Sequence, residues 1–218
     1  MSDEATFLFA DIAGFTALTE AHGDEDAAEL AAEFCRDVRR LLPEYGGEHV
    51  KNIGDAIMLR IPEPAAAVRL GLRITHELMS AHGSPSVRVG LHHGPAVGRE
   101  GDYFGAAVNL AARVSGEASA NDVLMTAGTA ARAGDLPDVV YEPRGRRQLR
   151  HIQEPVELVA AIGAGEPNGR ELALDPVCRM AVDPDHAAGR LVHRGETHWF
   201  CSLECAASFA QDPDSYLR

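Results

Sequence analysis

Two strand-like runs separated by only two residues are the feature that most limits how this chain can fold. Residues 49–53 and 56–61 have strand composition, and only Gly54 and Asp55 lie between them. A two-residue connection joins antiparallel neighbours. The sequence therefore predicts a tight hairpin that carries an ionisable side chain, Asp55, at its tip.

The segments around this hairpin alternate between strands and helices. An apolar strand is predicted at 6–10, and helical spacing follows from Phe15 to Leu41, where Pro43 ends it. Further elements are a helix at 65–81, a strand at 86–92, a helix at 104–118, a strand at 123–126 and short elements up to 162. The order β-α-β-β-α-β predicts an α+β sandwich that resembles the ferredoxin-like motif.

Composition divides the chain into a large and a small part. Residues 1–163 are long enough for one ordinary domain. Residues 164–171 have linker composition. Residues 172–218 form a module whose core is too small to be stable without an additional cross-link, such as a bound metal or a disulfide. Three of the four cysteines fall in this module, which indicates a local site there and not a disulfide framework.

The net charge of −13, from 33 acidic and 20 basic residues, argues against nucleic acid and anionic membranes as partners. A nucleotide is compatible with this charge, because metal ions can neutralise it locally. No apolar run reaches bilayer length, and the N-terminus lacks the basic start of a signal peptide. We therefore expect a soluble, cytoplasmic protein.

Asp11 follows the first predicted strand, and a helix is predicted to begin at Gly14, Phe15 and Thr16. A helix N-terminus offers free N–H groups to a phosphate, and a neighbouring carboxylate can hold Mg²⁺ against it. If the hairpin tip folds beside this point, Asp11 and Asp55 could share two metal ions and clamp a phosphoryl transfer. Considered singly, Asp11 is better explained as a helix cap and Asp55 as a turn residue.

Two further pairs combine a donor or cation with a second polar group. Asn109 and Arg113 lie one helical turn apart and could hold a phosphoryl group and a ribose. Lys51, the only lysine in the chain, and Asp102 match the acceptor and donor on an adenine edge, although guanine would satisfy both groups as well. A solvated helix face and two unrelated surface charges are the simpler explanations.

Four segments in order, FLFADIAGFTAL, KNIGDAIM, VRVGLHHG and GDYFGAAVNLAAR, resemble the catalytic domain of class III nucleotidyl cyclases. The likeness extends over residues 6–161 and includes the closing LRHIQEPVELVA. It implies specific roles for matching positions: metal binding by Asp11 and Asp55, adenine selection by Lys51 and Asp102, and transition-state stabilisation by Asn109 and Arg113.

The resemblance also implies a reaction and an assembly. The ribose 3′-oxygen of ATP would attack the α-phosphorus and expel pyrophosphate, with two Mg²⁺ or Mn²⁺ ions in each site. The sites would form between the chains of a head-to-tail homodimer. Arg99 and Arg150 match triphosphate contacts by approximate position only. The chain departs from the family in a short hairpin at 97–101 and in His151, where glycine is common.

The cysteine module begins with DPVCRM and continues with HWFCSLECAASF. Its three thiols would suit zinc, copper(I) or iron, and metal binding would supply folding free energy. The segment resembles YHS domains. The predicted ligands are Cys178, Cys201 and Cys205 with His198 as the fourth, while His193 and His186 are alternatives. A structural zinc knot and three buried thiols without metal are the alternatives to a sensing role.

The main hypothesis is therefore a cytoplasmic, homodimeric adenylyl cyclase with a metal-binding tail. A further hypothesis is that the metal or redox state of Cys178, Cys201 and Cys205 tunes its activity. A catalytically silent nucleotide or metal sensor, a guanylyl cyclase and a metal-trafficking protein are the alternatives.

Overall fold

An eight-stranded sheet forms the centre of the larger part of the chain, and the computed structural model describes residues 3–77, 83–164 and 172–217. The strands of this part are β1 Asp3–Ile12, β2 Glu48–Ile53, β3 Ala56–Ile61, β4 Val87–Arg99, β5 Asp102–Phe104, β6 Val123–Thr126, β7 Val139–Arg147 and β8 Val156–Gly163. The helices are α1 Phe15–His22, α2 Asp24–Leu41, α3 Pro64–Glu77, α4 Ala106–Glu117 and α5 Ala127–Ala133.

The strand order is β2-β3-β1-β4-β6-β8-β7, and β5 pairs with the end of β4. The pairs β2–β3, β3–β1 and β1–β4 are antiparallel, and the β4–β6 pair is parallel. The first four strands with the helices between them form the expected ferredoxin-like unit. The prediction of an α+β fold is therefore confirmed, and the structure places the β2–β3 hairpin at one edge of the sheet.

The two faces of the sheet are covered by different helices. Alternate residues of β1 point to opposite faces, as strand geometry requires. Leu8 and Ala10 belong to the core that contains α1, α2 and α3. Phe7 and Phe9 belong to a second core, which contains α4. Helices α1 and α4 therefore lie on opposite sides of the sheet.

A glycine in β4 permits the close packing of α4. A Cβ atom on Gly90 would lie 2.1 Å from the backbone nitrogen of Ser115, which no relaxation of a side chain could relieve. Helix α4 buries Ala107 and Ala111 against the sheet and turns its opposite side to solvent. The position of that exposed side therefore depends on this one close approach.

Two departures from the predicted boundaries have a physical cause in the structure, and two other predictions cannot be compared with it. The single helix expected from 15 to 41 is two helices, because Gly23 has a φ of 89° and interrupts the helical backbone between them. Strand β4 extends to Arg99 because its second half pairs with β5. The predicted end of the helix at 81 and most of the predicted linker fall on residues 78–82 and 165–171, outside the described residues.

The C-terminal module contains two small sheets and two helices. They are β9 Ala173–Leu174, β10 Ala181–Val182, β11 Gly189–His193, β12 Glu196–Phe200, α6 Leu203–Gln211 and α7 Pro213–Tyr216. The module docks on the segment before β4, where Gly83 N–H donates to Ala181 and Ala181 N–H donates to Ser84, at 2.9 and 2.8 Å. Its buried residues are continuous with the α1–α3 core.

None of the helices in residues 3–77, 83–164 and 172–217 has the length and apolar character that a membrane span needs.

Candidate functional site

Two aspartates and an arginine meet where β1 and the β2–β3 hairpin end. Asp11 pairs in register with Arg88 on β4, and the Arg88 Nε and Nη2 atoms donate to its two carboxylate oxygens at 2.6 and 3.0 Å. The carboxylate of Asp55, at the hairpin tip, accepts a hydrogen bond from the N–H of Ile12, the residue that follows Asp11. The structure thus brings the two predicted metal ligands together.

The electrostatics of this group favour a bound cation. Burial raises the pKa of Asp55, and the negative charge of Asp11 acts in the same direction. Backbone N–H groups of Asp55 and Ile12 and the charge of Arg88 oppose that rise in pKa. The two carboxylates offer the oxygen ligands that a hard divalent ion prefers, and until such an ion binds Arg88 compensates the charge of Asp11. The side chains therefore fit the expected Mg²⁺ or Mn²⁺ ions.

Arg88 was not among the residues predicted from the sequence. It lies in the segment VRVGLHHG, which was used only as evidence of resemblance. The register between β1 and β4 places it opposite Asp11. The available signal was a basic residue at the start of an apolar strand, in a chain where β1 ends in a carboxylate.

The turn between β1 and α1 holds the three residues predicted to bind phosphate. Gly14 has a φ of 79° and precedes Phe15, the first residue of α1. No side chain among the described residues caps this helix, and Gly14 and Thr16 are exposed. The first N–H groups of α1 are thus available next to Asp11.

Lys51 and Asp102 form an ion pair. The Lys51 Nζ donates to Asp102 Oδ2 at 2.6 Å and lies 5.9 Å from the centre of the Phe104 ring. Tyr103 N–H donates to the other carboxylate oxygen at 2.8 Å. The hydrogen bond from Lys51 lowers the pKa of Asp102. A donor and an acceptor therefore stand side by side on β2 and β5, as recognition of a base edge would require.

Asn109 and Arg113 lie on the exposed side of α4. Arg99 is exposed at the end of β4, and Arg150 is exposed in the turn before β8, where its Nε atom is 3.2 Å from His151 Nε2. His151 has a φ of 61°, in the region that favours glycine. His151 therefore holds a backbone conformation that is uncommon for a residue with a side chain.

The three thiols of the C-terminal module meet a histidine of the larger part. His22, Cys178, Cys201 and Cys205 place their ligand atoms within 4.8 Å of one another. The sulfur of Cys201 is 3.3 Å from that of Cys178 and 3.8 Å from that of Cys205. His22 is the last residue of α1.

His198, predicted as the fourth ligand, is not part of this group. Strand alternation puts His198 on the same side of β12 as Phe200, and both rings pack on Phe209, at 5.0 and 5.2 Å between centroids. The His198 Nε2 is buried without a hydrogen-bond partner among the described residues. The histidine that the structure places beside the three thiols is therefore His22 and not His198.

The two alternative ligands also have other partners. His186 Nδ1 lies 2.8 Å from a carboxylate oxygen of Asp183, and His193 Nε2 lies 3.3 Å from one of Asp214.

Asp175 organises the backbone around the thiols. Its fully buried carboxylate accepts from Val177 N–H and Cys201 N–H, both at 2.8 Å. Ser202 caps α6 by accepting from Cys205 N–H at 3.1 Å. These contacts explain the aspartate in DPVC and the serine in FCS, since each fixes a segment that carries a thiol.

The family model of the adenylate and guanylate cyclase catalytic domain matches residues 1–157, and that of the YHS domain matches residues 173–218. A pH-sensitive adenylate cyclase of Mycobacterium tuberculosis is 35% identical over 160 residues, 71% of this chain and 40% of its own length. An adenylate cyclase of Streptomyces griseus is 32% identical, over 60% of this chain and 33% of its own length. The chain thus spans only about two fifths or less of these relatives' sequences.

Solved structures agree with this fold. A structure of adenylate cyclases from Trypanosoma brucei in their monomeric state has a TM-score of 0.68 and 25% identity, over 76% of this chain and 91% of that one. The adenylyl cyclase CyaB from P. aeruginosa has a TM-score of 0.67 over 78% of this chain and 98% of that one, and its 22% identity shows the fold alone.

Proposed function

We propose, from the premise that this chain belongs to the adenylate and guanylate cyclase catalytic domain family, that it converts ATP to 3′,5′-cyclic AMP and pyrophosphate. The observation that carries the proposal is the Asp11–Asp55–Arg88 group beside the start of α1, which no side chain in the described part of the chain caps. That arrangement offers carboxylates for divalent ions and N–H groups for a triphosphate at one place.

Bound Mg²⁺ or Mn²⁺ ions would supply Lewis acidity to the 3′-hydroxyl and positive charge to the triphosphate. Asp11 and Asp55 would hold these ions, and the N–H groups of Phe15 and Thr16 would bind phosphate oxygens. Arg88 compensates the charge of Asp11 before metal binds, and so keeps the carboxylates in place.

Lys51 and Asp102 would select the base. On binding, the Lys51 ammonium would donate to adenine N1 and the Asp102 carboxylate would accept from the N6 amine. The hydrogen bond that now joins the two side chains keeps both aligned until the base replaces it. Guanine O6 and N1–H could occupy the same pair, so GTP is the alternative substrate that the assay must include.

The two halves of the site would meet only in a dimer. Helix α1 packs on one face of the sheet and α4 packs on the other. Asn109 and Arg113 on α4 would have to reach across the sheet to touch a nucleotide at the start of α1 in the same chain. In a head-to-tail homodimer, a partner's α4 would supply these side chains, and Arg113 would stabilise charge on the transferred phosphoryl group.

An exposed apolar patch supports this interface. Ile53, Val97 and Phe104 are each half-exposed, at 50%, 52% and 53%. They lie on β2, β4 and β5, the strands that carry or adjoin Lys51 and Asp102. Apolar groups of this kind around a binding pair are typical of an interface.

A cyclase assay tests the proposal. The purified dimer is incubated with ATP or GTP and Mg²⁺ or Mn²⁺, and cyclic nucleotide is measured for the wild type, Asp11→Ala and the control Asp37→Ala. Asp37 is a partly exposed aspartate on α2 that pairs with Arg40, so its loss should leave activity unchanged. We expect ATP turnover in wild type and control only. A confirmed wild-type dimer that forms no cyclic nucleotide would refute the proposal.

We further propose that Cys178, Cys201 and Cys205 hold a soft metal ion, zinc before copper or iron, and that the protein acts in the cytoplasm. Three thiols in mutual contact, with backbone segments fixed by Asp175 and Ser202, support the first of these statements.

A further inference from the structure

The four side chains that combine His22 with the thiols have the dimensions of a tetrahedral metal site. Bond lengths of about 2.3 Å to sulfur and about 2.0 Å to nitrogen give tetrahedral edges of about 3.8 Å between sulfurs and about 3.5 Å between sulfur and nitrogen. The observed separations are 3.3 and 3.8 Å between sulfurs. His22 Nε2 lies 3.6 Å from the sulfur of Cys201 and 3.9 Å from that of Cys205.

The ligands come from both parts of the chain. Cys178, Cys201 and Cys205 belong to the C-terminal module, whereas His22 ends α1 of the cyclase domain, 156 residues before the first of the thiols. Cys178 and Cys205 are buried, and His22 and Cys201 are partly accessible. An ion at this position would thus be enclosed by the module and closed off by the cyclase domain.

An acidic cleft leads to the same position. It has a volume of roughly 340 Å³, and His22 and Cys201 are among its lining residues. Its wall on α2 carries Asp26, Glu29 and Glu33, which recur at helical spacing and therefore share one side of the helix. Such a wall concentrates cations at the accessible edge of the cluster.

Helix α1 is held by the module at its other end as well. A Cβ atom on Gly14 would lie 2.8 Å from Cγ of Arg179, so the Arg179 side chain packs directly on the turn that begins α1. Ser86 connects the two parts, because its hydroxyl donates to the Arg179 carbonyl at 2.5 Å and its carbonyl accepts from Ala13 N–H at 2.8 Å. The C-terminal module therefore contacts α1 at both Gly14 and His22.

We propose that His22, Cys178, Cys201 and Cys205 bind one soft divalent cation of the zinc class, which clamps the C-terminal module to α1 of the cyclase domain. The clamp fixes the helix whose first N–H groups face the triphosphate. Metal occupancy consequently sets the affinity for ATP through the position of α1, a consequence that rests on the proposed cyclase activity. The metal site itself does not depend on that activity.

Metal binding to the full chain tests the site directly. The reduced protein is titrated with Co²⁺, whose spectrum reports thiolate ligation and tetrahedral geometry, and Zn²⁺ affinity is measured by competition with a chromophoric chelator. We expect one ion per chain and at least a tenfold loss of Zn²⁺ affinity in His22→Ala. The matched control His198→Ala should bind like the wild type. Unchanged affinity in His22→Ala, a loss in His198→Ala instead, or no bound ion would each overturn the proposal.

A second measurement tests whether metal binding stabilises α1. Hydrogen exchange of the 15–22 amides should slow several-fold when Zn²⁺ is added to the wild type and should not respond in His22→Ala.

KM for ATP should rise several-fold when zinc is stripped from the full chain, with kcat little changed because Asn109 and Arg113 lie on α4. Equal exchange with and without zinc would refute the clamp, and equal KM values would refute its effect on ATP. An inactive wild type that still shows the exchange difference would refute only the cyclase activity.

Discussion

Replacing Arg88 by glutamine should lower the unfolding free energy of the metal-free protein. It should also increase the rise in Tm that Mn²⁺ produces. The substitution removes two charge-assisted hydrogen bonds to Asp11, at 2.6 and 3.0 Å, and leaves Asp11 and Asp55 facing each other without a cation. Such losses cost about 1.5–3 kcal/mol in buried settings. Since 31% and 19% of the Arg88 and Asp11 side chains remain exposed, we expect about 1–2 kcal/mol.

For a chain of this length, that loss corresponds to a Tm lower by roughly 2–8 °C without metal. Mn²⁺ no longer competes with a guanidinium for Asp11, so the metal-induced rise in Tm should be larger in the variant than in the wild type. Thermal unfolding followed by circular dichroism, with chelator or with a Mn²⁺ series, measures both quantities.

Arg69→Gln is the matched control. Arg69 makes the same two-bond contact with Asp138, at 3.0 and 2.9 Å, but 41% and 57% of these side chains are exposed. Its loss should cost less than about 1 kcal/mol and leave the Mn²⁺ response unchanged. An Arg88→Gln variant that melts like the wild type and gains no extra stability from Mn²⁺ would refute the assignment of Arg88 as the cation of the metal site.

Three further predictions concern packing, pH and base selection. Gly90→Ala should lower the free energy of unfolding by at least about 3 kcal/mol and abolish turnover, because the added Cβ meets the Ser115 backbone. A denaturant titration measures this loss, and an unchanged midpoint would contradict the close approach. Burial lowers the pKa of His92 to about 4, so the unfolding free energy should fall by up to about 3 kcal/mol as pH drops from 6.5 through 4. In His92→Gln the unfolding free energy should change less with pH over this range. Lys51→Met should raise KM for ATP roughly tenfold or more and reduce the preference for ATP over GTP, because Asp102 alone then faces the base. Unchanged selectivity between ATP and GTP would exclude Lys51 and Asp102 from base recognition.

The sequence predicted those parts of the site that depend on local pattern. A two-residue link between strands put Asp55 at a hairpin tip, and the strand-to-helix change put Asp11 beside the start of α1. Helical spacing placed Asn109 and Arg113 together on one exposed side of α4. Each of these depends on a periodicity or a turn signal within a few residues.

The parts that could not be predicted depend on contacts between distant segments. Arg88 faces Asp11 only through the β1–β4 register, and nothing local to either residue specifies that register. His22 approaches the thiols only because the C-terminal module docks on the cyclase domain. His198 was favoured because it is near Cys201 in sequence, yet strand alternation directs it toward Phe209.

The most direct test of the proposed function mixes two inactive variants. Asp55→Asn lacks a metal ligand and Arg113→Ala lacks the transition-state arginine, so each homodimer should be inactive. Random exchange in an equal mixture makes half of the dimers mixed, and each mixed dimer has one intact site of two, so activity should recover to about a quarter of the wild-type value. If the mixture stays as inactive as the separate variants while mass spectrometry shows that mixed dimers have formed, the site is not shared between chains and the account is wrong.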